Sequence, residues 1–174
     1  MTRLRKPALA PPAVVIATPL ADNPAERVTA FYHRVWRERM AELPFLNARL
    51  SVEALGFQRL SGDWLGMVIT PWCVQVLLAP GGGSLWQDIP AGERRLIELP
   101  VGALEFIADA GEAELPNLQY CPLMAPVEHI ANQAAASGFA RDALATLLTP
   151  RPPEPAPEAP ASPSRRGFLL RQRG

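Results

Sequence analysis

The chain has 174 residues, 48% hydrophobic and 20% charged, the balance of an ordinary soluble domain with enough apolar material for one core. Seventeen basic and 17 acidic residues cancel to a formal net charge of +0, which excludes the overall positive field that draws nucleic acid or anionic lipid. Cys73 and Cys121 form no CxxC pair, and His33 and His129 are the only histidines. Neither a four-ligand zinc site nor a redox dithiol is therefore expected, and no cofactor is implied.

Residues 1–22 read as a flexible or strand-forming arm. Arg3, Arg5 and Lys6 ahead of the apolar stretch Ala8–Leu20 have the outline of an export signal. Pro7, Pro11, Pro12 and Pro19 interrupt that stretch, and a helical export segment does not tolerate them. From Pro24 to Leu43 an amphipathic helix is expected. Asn23 stands at its cap and Glu26 in its first turn, with Val28, Phe31, Tyr32, Val35 and Met40 at near-helical spacing.

The middle of the chain predicts strands at Ser51–Phe57, Trp64–Thr70, Val74–Leu78, Arg95–Leu99, Ala103–Ala108 and Leu118–Tyr120. The spacers between them are too short for crossover helices, which favours an antiparallel meander. Trp64–Pro80 is nearly long enough to span a bilayer. Gly66, Pro71 and the β-branched residues make it two buried strands instead, so no membrane insertion is expected. Gly81–Gly83 lacks the Lys-Ser/Thr of a phosphate loop and is read as a mobile loop. Pro126 is expected to open a last helix over Val127–Leu148, which Gly138 divides. The predicted fold class is α+β: mainly antiparallel sheet, with an N-terminal helix and a C-terminal helical segment packed on one face. The globular domain spans 23–149.

Composition then shifts. Pro150–Ser164 holds seven prolines and reads as an extended linker, 150–164. A basic and apolar tail, 165–174, closes the chain.

Catalytic arrangements are poorly supported. Gly-x-Ser-x-Gly is absent. The carboxylate pairs Glu105/Asp109 and Glu112/Glu114 read as solvated strand ends, and Cys121 reads as a small buried thiol without a neighbouring base. Aromatic and apolar residues carry more information. Trp64 is expected in the core, whereas Trp72 and Trp86, at strand ends, suit either core or partner contact. Cys121–Pro126 reads as an apolar connection from strand to helix, with Leu123 and Met124 able to line a groove.

Gly62-Asp63-Trp64-Leu65-Gly66-Met67-Val68-Ile69-Thr70-Pro71-Trp72 resembles the W-x-G-x-x-I-T-P-W segment of the HybE/HupJ hydrogenase assembly proteins. Leu85-Trp86, Pro100-Val101-Gly102, Cys121–Pro126 and Arg165–Leu170 resemble the same family in the same order. The resemblance covers roughly 24–148 and the tail. It implies a cytoplasmic, non-catalytic chaperone of [NiFe]-hydrogenase maturation. Such a chaperone would hold a small or large subunit precursor, the twin-arginine signal of the small subunit being one target. Some relatives carry a rubredoxin domain, whose paired CxxC ligands are missing here, so no iron site carries over.

The expected partner contacts are Trp72, Trp86, Leu123 and Met124. Ser164-Arg165-Arg166-Gly167-Phe168-Leu169 also reads like the core of a twin-arginine signal. Arg165, Arg166, Phe168 and Leu169 are accordingly expected to act as a decoy folded onto the client groove, or as an ordinary terminal strand completing the sheet. Two other functions stay open. One is a small maturation enzyme using Cys121 or a carboxylate site, and the other is a structural subunit of a stable hydrogenase complex.

Overall fold

The computed structural model describes residues 13–153. Within them the elements follow in the order α1 (Ala25–Val35), β1 (Glu53–Leu60), β2 (Asp63–Ile69), β3 (Val74–Ala79), β4 (Arg94–Leu99), β5 (Gly102–Glu112), β6 (Leu115–Met124) and α2 (Gln133–Leu148). Helix α1 continues as a wider π-type turn through Trp36–Met40. The strands form one sheet in the order β1-β2-β3-β6-β5-β4, antiparallel throughout. Two three-stranded meanders thus meet where β3 pairs with β6. The expected α+β fold with a mainly antiparallel sheet is the fold observed.

The two helices do not share a face. Leu65, Met67 and Ile69 of β2 and Val74, Val76 and Leu78 of β3 pack with Ala136, Ala140, Leu144 and Leu147 of α2. The alternate residues Trp64, Val68, Leu77 and Ala79 pack with Val28, Phe31 and Tyr32 of α1. Successive side chains of a strand point to opposite sides, so unbroken apolar runs such as those of β2 and β3 need cover on both. Two helices on one face would leave the other wet. At about 1.5–3 kcal/mol for each fully buried large apolar side chain, that exposure decides the layout.

Helix α2 starts at Gln133 rather than at Val127. The carbonyls of Val127 and Ile130 both accept from the buried Asn47 Nδ2, at 2.9 and 2.8 Å. Asn132 Oδ1 then caps the helix, accepting from Ala135 N at 2.9 Å. Gly138 leaves α2 unbroken. Cys121–Met124 belongs to β6 rather than to a connection, because Gln75 and Val74 of β3 continue the pairing as far as Pro122 and Met124.

A bulge at Gly56–Phe57 interrupts β1 opposite β2. Gly56 sits at φ +68°, in the left-handed region open to glycine. The Phe57 ring lies flat over Gly66, where an added Cβ would come within 2.4 Å of it. Gly66→Ala is expected to lower unfolding stability by about 1–3 kcal/mol. Gly138→Ala, in open space on α2, is expected to raise it by about 0.5–1 kcal/mol. Urea denaturation of both variants gives the two signs.

Candidate partner-binding surface

From Asp63 to Pro80 every residue is buried except Trp72. The indole lies in the turn between β2 and β3, and the turn is built by Thr70. Thr70 Oγ1 accepts from Cys73 N at 3.0 Å and Trp72 N at 3.4 Å and donates to Cys73 O at 2.9 Å. The Pro71 carbonyl accepts from Asn47 N at 2.7 Å. A β-branched hydroxyl residue, a proline and a buried asparagine therefore fix the backbone that presents Trp72.

Trp72 faces the α1 side of the sheet, its ring centroid 6.5 Å from that of Tyr32. Tyr32, Arg39, Trp72, Gln75, Asp109 and Tyr120 line a hollow of about 160 Å³. Since a water occupies about 30 Å³ of liquid, the hollow suits one side-chain head. Burial, reinforced by the nearby Asp109 charge, pushes the Tyr32 and Tyr120 phenols above their ordinary range, so both are neutral hydroxyls at physiological pH. Arg39 pairs with Glu112, and Arg34 with Glu112 and Glu114. Asp109 accepts from Gly111 N at 2.7 Å, and among the described residues no Lys or Arg pairs with it. The hollow thus joins aromatic faces to the Asp109 carboxylate, with the Arg39 guanidinium, paired with Glu112, also in its lining.

The other expected contacts lie elsewhere. Trp86 packs against the α2-side core, and its Nε1 donates to Asp88 at 3.0 Å. Leu123 and Met124 also pack on the α2 side, at the sheet end where Met124 faces Val74. Trp86 is held at the other end, beside Asp63. Leu123 and Met124 thus share the sheet end of Trp72 but lie on the other face, and Trp86 lies at the far end. Arg165, Arg166, Phe168 and Leu169 lie outside the described residues. Sequence reasoning missed Tyr32, Tyr120 and Asp109 as companions of Trp72. The pairing of β3, β6 and β5 brings Tyr120 and Asp109 to this face and the packing of α1 adds Tyr32, although the alternation of Gln75 with Leu77 gave part of the signal.

The glycine-rich segment is tethered rather than loose. Asp63, 0% exposed, accepts from the backbone N–H groups of Gly81, Gly83, Leu85 and Trp86 at 2.8–2.9 Å. Burial works to raise its carboxyl, but the four donors outweigh that and hold it below the ordinary value. Asp63→Asn turns an amide nitrogen toward these donors and is expected to lose about 2–3 kcal/mol at pH 7. A carboxyl lowered in the folded chain stabilises above the unfolded value near 4 and loses that contribution as pH falls through the folded value. The gap between wild type and variant should accordingly narrow below about pH 4, as measured by chemical denaturation across pH.

Cys73 is pushed up to about 12 by burial, with a smaller push from Cys121. Burial also raises Cys121, aided by Glu105. Both are thiols at neutral pH and poor nucleophiles. Ellman's reagent should label neither in the folded chain, and both after unfolding. Among the described residues no cluster of three His, Cys, Asp or Glu could hold a metal ion, and no helix is long and apolar enough to cross a membrane.

Residues 23–171 match the family model described as [NiFe]-hydrogenase assembly, chaperone, HybE. The protein HoxT of Cupriavidus necator is 39% identical over 156 residues, covering 78% of this chain and 81% of its own. The hydrogenase expression/formation protein HoxT of Azotobacter vinelandii is 36% identical over 149 residues, covering 84% and 90%. The solution structure of HybE from Escherichia coli superposes with a TM-score of 0.62 at 27% identity, covering 86% of this chain and 90% of that one. The chain belongs to the HybE family of [NiFe]-hydrogenase assembly chaperones.

Proposed function

We propose that the chain is a non-catalytic, cytoplasmic chaperone that binds a [NiFe]-hydrogenase subunit precursor through the hollow at Trp72. The observation that carries this reading is that Trp72 alone is only partly buried within the otherwise buried stretch Asp63–Pro80. A tryptophan fixed on a rigid turn at the edge of a hollow is a typical anchor for a partner. The surroundings suit an arginine head: aromatic faces attract a guanidinium, and the Asp109 carboxylate gives it a charged partner. The small-subunit precursor, with the paired arginines of its export signal, is the client that fits this chemistry. Trp86, Leu123 and Met124 supply supporting apolar surface rather than the anchor.

The test is capture of purified small-subunit precursor by the full chain, measured by titration calorimetry. Trp72→Ala and Asp109→Asn should each weaken binding by at least about tenfold, roughly 1.4 kcal/mol, with little change in melting temperature. Replacing the two signal arginines by lysine should weaken wild-type binding to a similar degree, because lysine lacks the planar fork. Undiminished capture by Trp72→Ala would refute the assignment. Equal affinity for the large-subunit precursor and none for the small one would move the client, leaving the anchor to be judged by the same variant.

A further inference from the structure

Strand β4 lies at the edge of the sheet opposite β1, and among the described residues no strand pairs with its outer side. Its backbone groups divide by alternation. Ala108 N donates to the Glu93 carbonyl at 2.9 Å, one step before the Arg94–Ile107 pair that opens the β4–β5 register. In an antiparallel ladder the residues that exchange hydrogen bonds recur at every second position. Arg95, Ile97 and Leu99 therefore turn their N–H and carbonyl groups toward β5, and Arg94, Leu96 and Glu98 turn theirs outward.

The side chains of those same three residues share one face. Ile97 and Leu99 belong to the core under α2, which leaves Arg94, Leu96 and Glu98 exposed on the other face. Leu96 is 68% exposed. Arg94 Nη1 donates to Glu105 Oε1 of β5 at 2.8 Å, whereas Glu98 has no ion pair among the described residues.

Charges on an edge strand ordinarily keep other strands away. Their order on β4 makes one occupant an exception. The outward positions run cation, leucine, anion, so the same strand reversed runs anion, leucine, cation. An antiparallel second β4, related by a two-fold axis at Leu96, sets leucine against leucine and Arg94 against Glu98 at two places. Opposite charges directly across a strand pair attract, and like charges repel. Every position in this register is outward-facing on both strands, so backbone and side chains match together. A slip of two residues in either direction loses both ion pairs.

We propose that β4 is a self-association edge, where a second copy of this chain pairs antiparallel to form a two-fold symmetric dimer. The Pro100 carbonyl already accepts from Arg151 N at 3.2 Å, so the pairing is confined to Arg94–Glu98. A ladder this short buries less than the roughly 1,200 Å² of a stable complex. The dimer is therefore reversible, with a Kd on the order of 10 µM to 1 mM. The two-fold axis stands perpendicular to the sheet, so the two sheets run on as one and both Trp72 hollows open on the same side. None of this depends on which client the hollow receives.

Sedimentation velocity of the full chain from about 1 µM to about 1 mM tests the pairing, and should show a monomer–dimer equilibrium. Glu98→Arg and Arg94→Glu each set like charges together at two places and should weaken association by at least about tenfold. An equimolar mixture of the two variants should recover it, because each supplies the charge the other lacks. All substituted positions are exposed, so melting temperatures should move little, which separates loss of pairing from loss of fold. A chain that stays monomeric throughout would overturn the proposal, as would a dimer indifferent to both variants or a mixture that fails to recover. Slow amide exchange at Leu96 in a dilute, monomeric sample would also overturn it, by showing that a segment of the same chain covers the edge.

Discussion

Burial of the β2–β3 hairpin on both of its faces is the constraint from which the rest of the molecule follows. Its side chains divide between two clusters, one under α2 and one under α1, so each helix is needed to cover what the other cannot. Gly66 belongs to the same constraint, since only a residue without a side chain lets the Phe57 ring lie on the strand. Hydrophobic burial is non-directional, and by itself it would permit several arrangements of these elements. Buried polar groups choose among them. Asn47 ties the β2–β3 turn to the start of the α2 segment through Pro71, Val127 and Ile130. Asp63 ties the opposite end of the hairpin to the 81–86 loop. One hairpin is thereby clamped at both ends.

Trp72 gains its meaning from that clamp. An aromatic side chain on a yielding loop must lose conformational freedom to bind, whereas one held by Thr70 and by a pinned proline has already lost it. The hollow beside it combines aromatic walls, neutral phenols and the Asp109 carboxylate, with which no Lys or Arg pairs among the described residues, with the Arg39 guanidinium in its lining. Burial holds both cysteine thiols above their ordinary range.

Much of the fold was legible from local pattern. Continuous apolar runs at Trp64–Thr70 and Val74–Leu78 identified β2 and β3, and the short spacers excluded a parallel sheet. What local pattern misjudged depends on partners far along the chain. The late start of α2 follows from an asparagine about 80 residues earlier, and the tethering of Gly81–Gly83 follows from Asp63. The helices' opposite faces were implied by the unbroken runs themselves, which carry no polar side to leave uncovered. Among the proposed contacts, Trp72 was singled out in sequence by its proline-fixed setting. Trp86 looked equivalent in sequence, yet its indole is committed to Asp88 and its backbone to Asp63. Tyr120 and Asp109 needed the register of β5, β6 and β3 before they could be seen as its neighbours.

The chain's four tryptophans, Trp36, Trp64, Trp72 and Trp86, give the central claim a direct readout: four indole N–H resonances recorded while a client signal peptide is titrated. The account predicts that the Trp72 resonance moves with saturable binding while those of Trp64 and Trp86 hold their positions. Movement of Trp86 with Trp72 unmoved would contradict it.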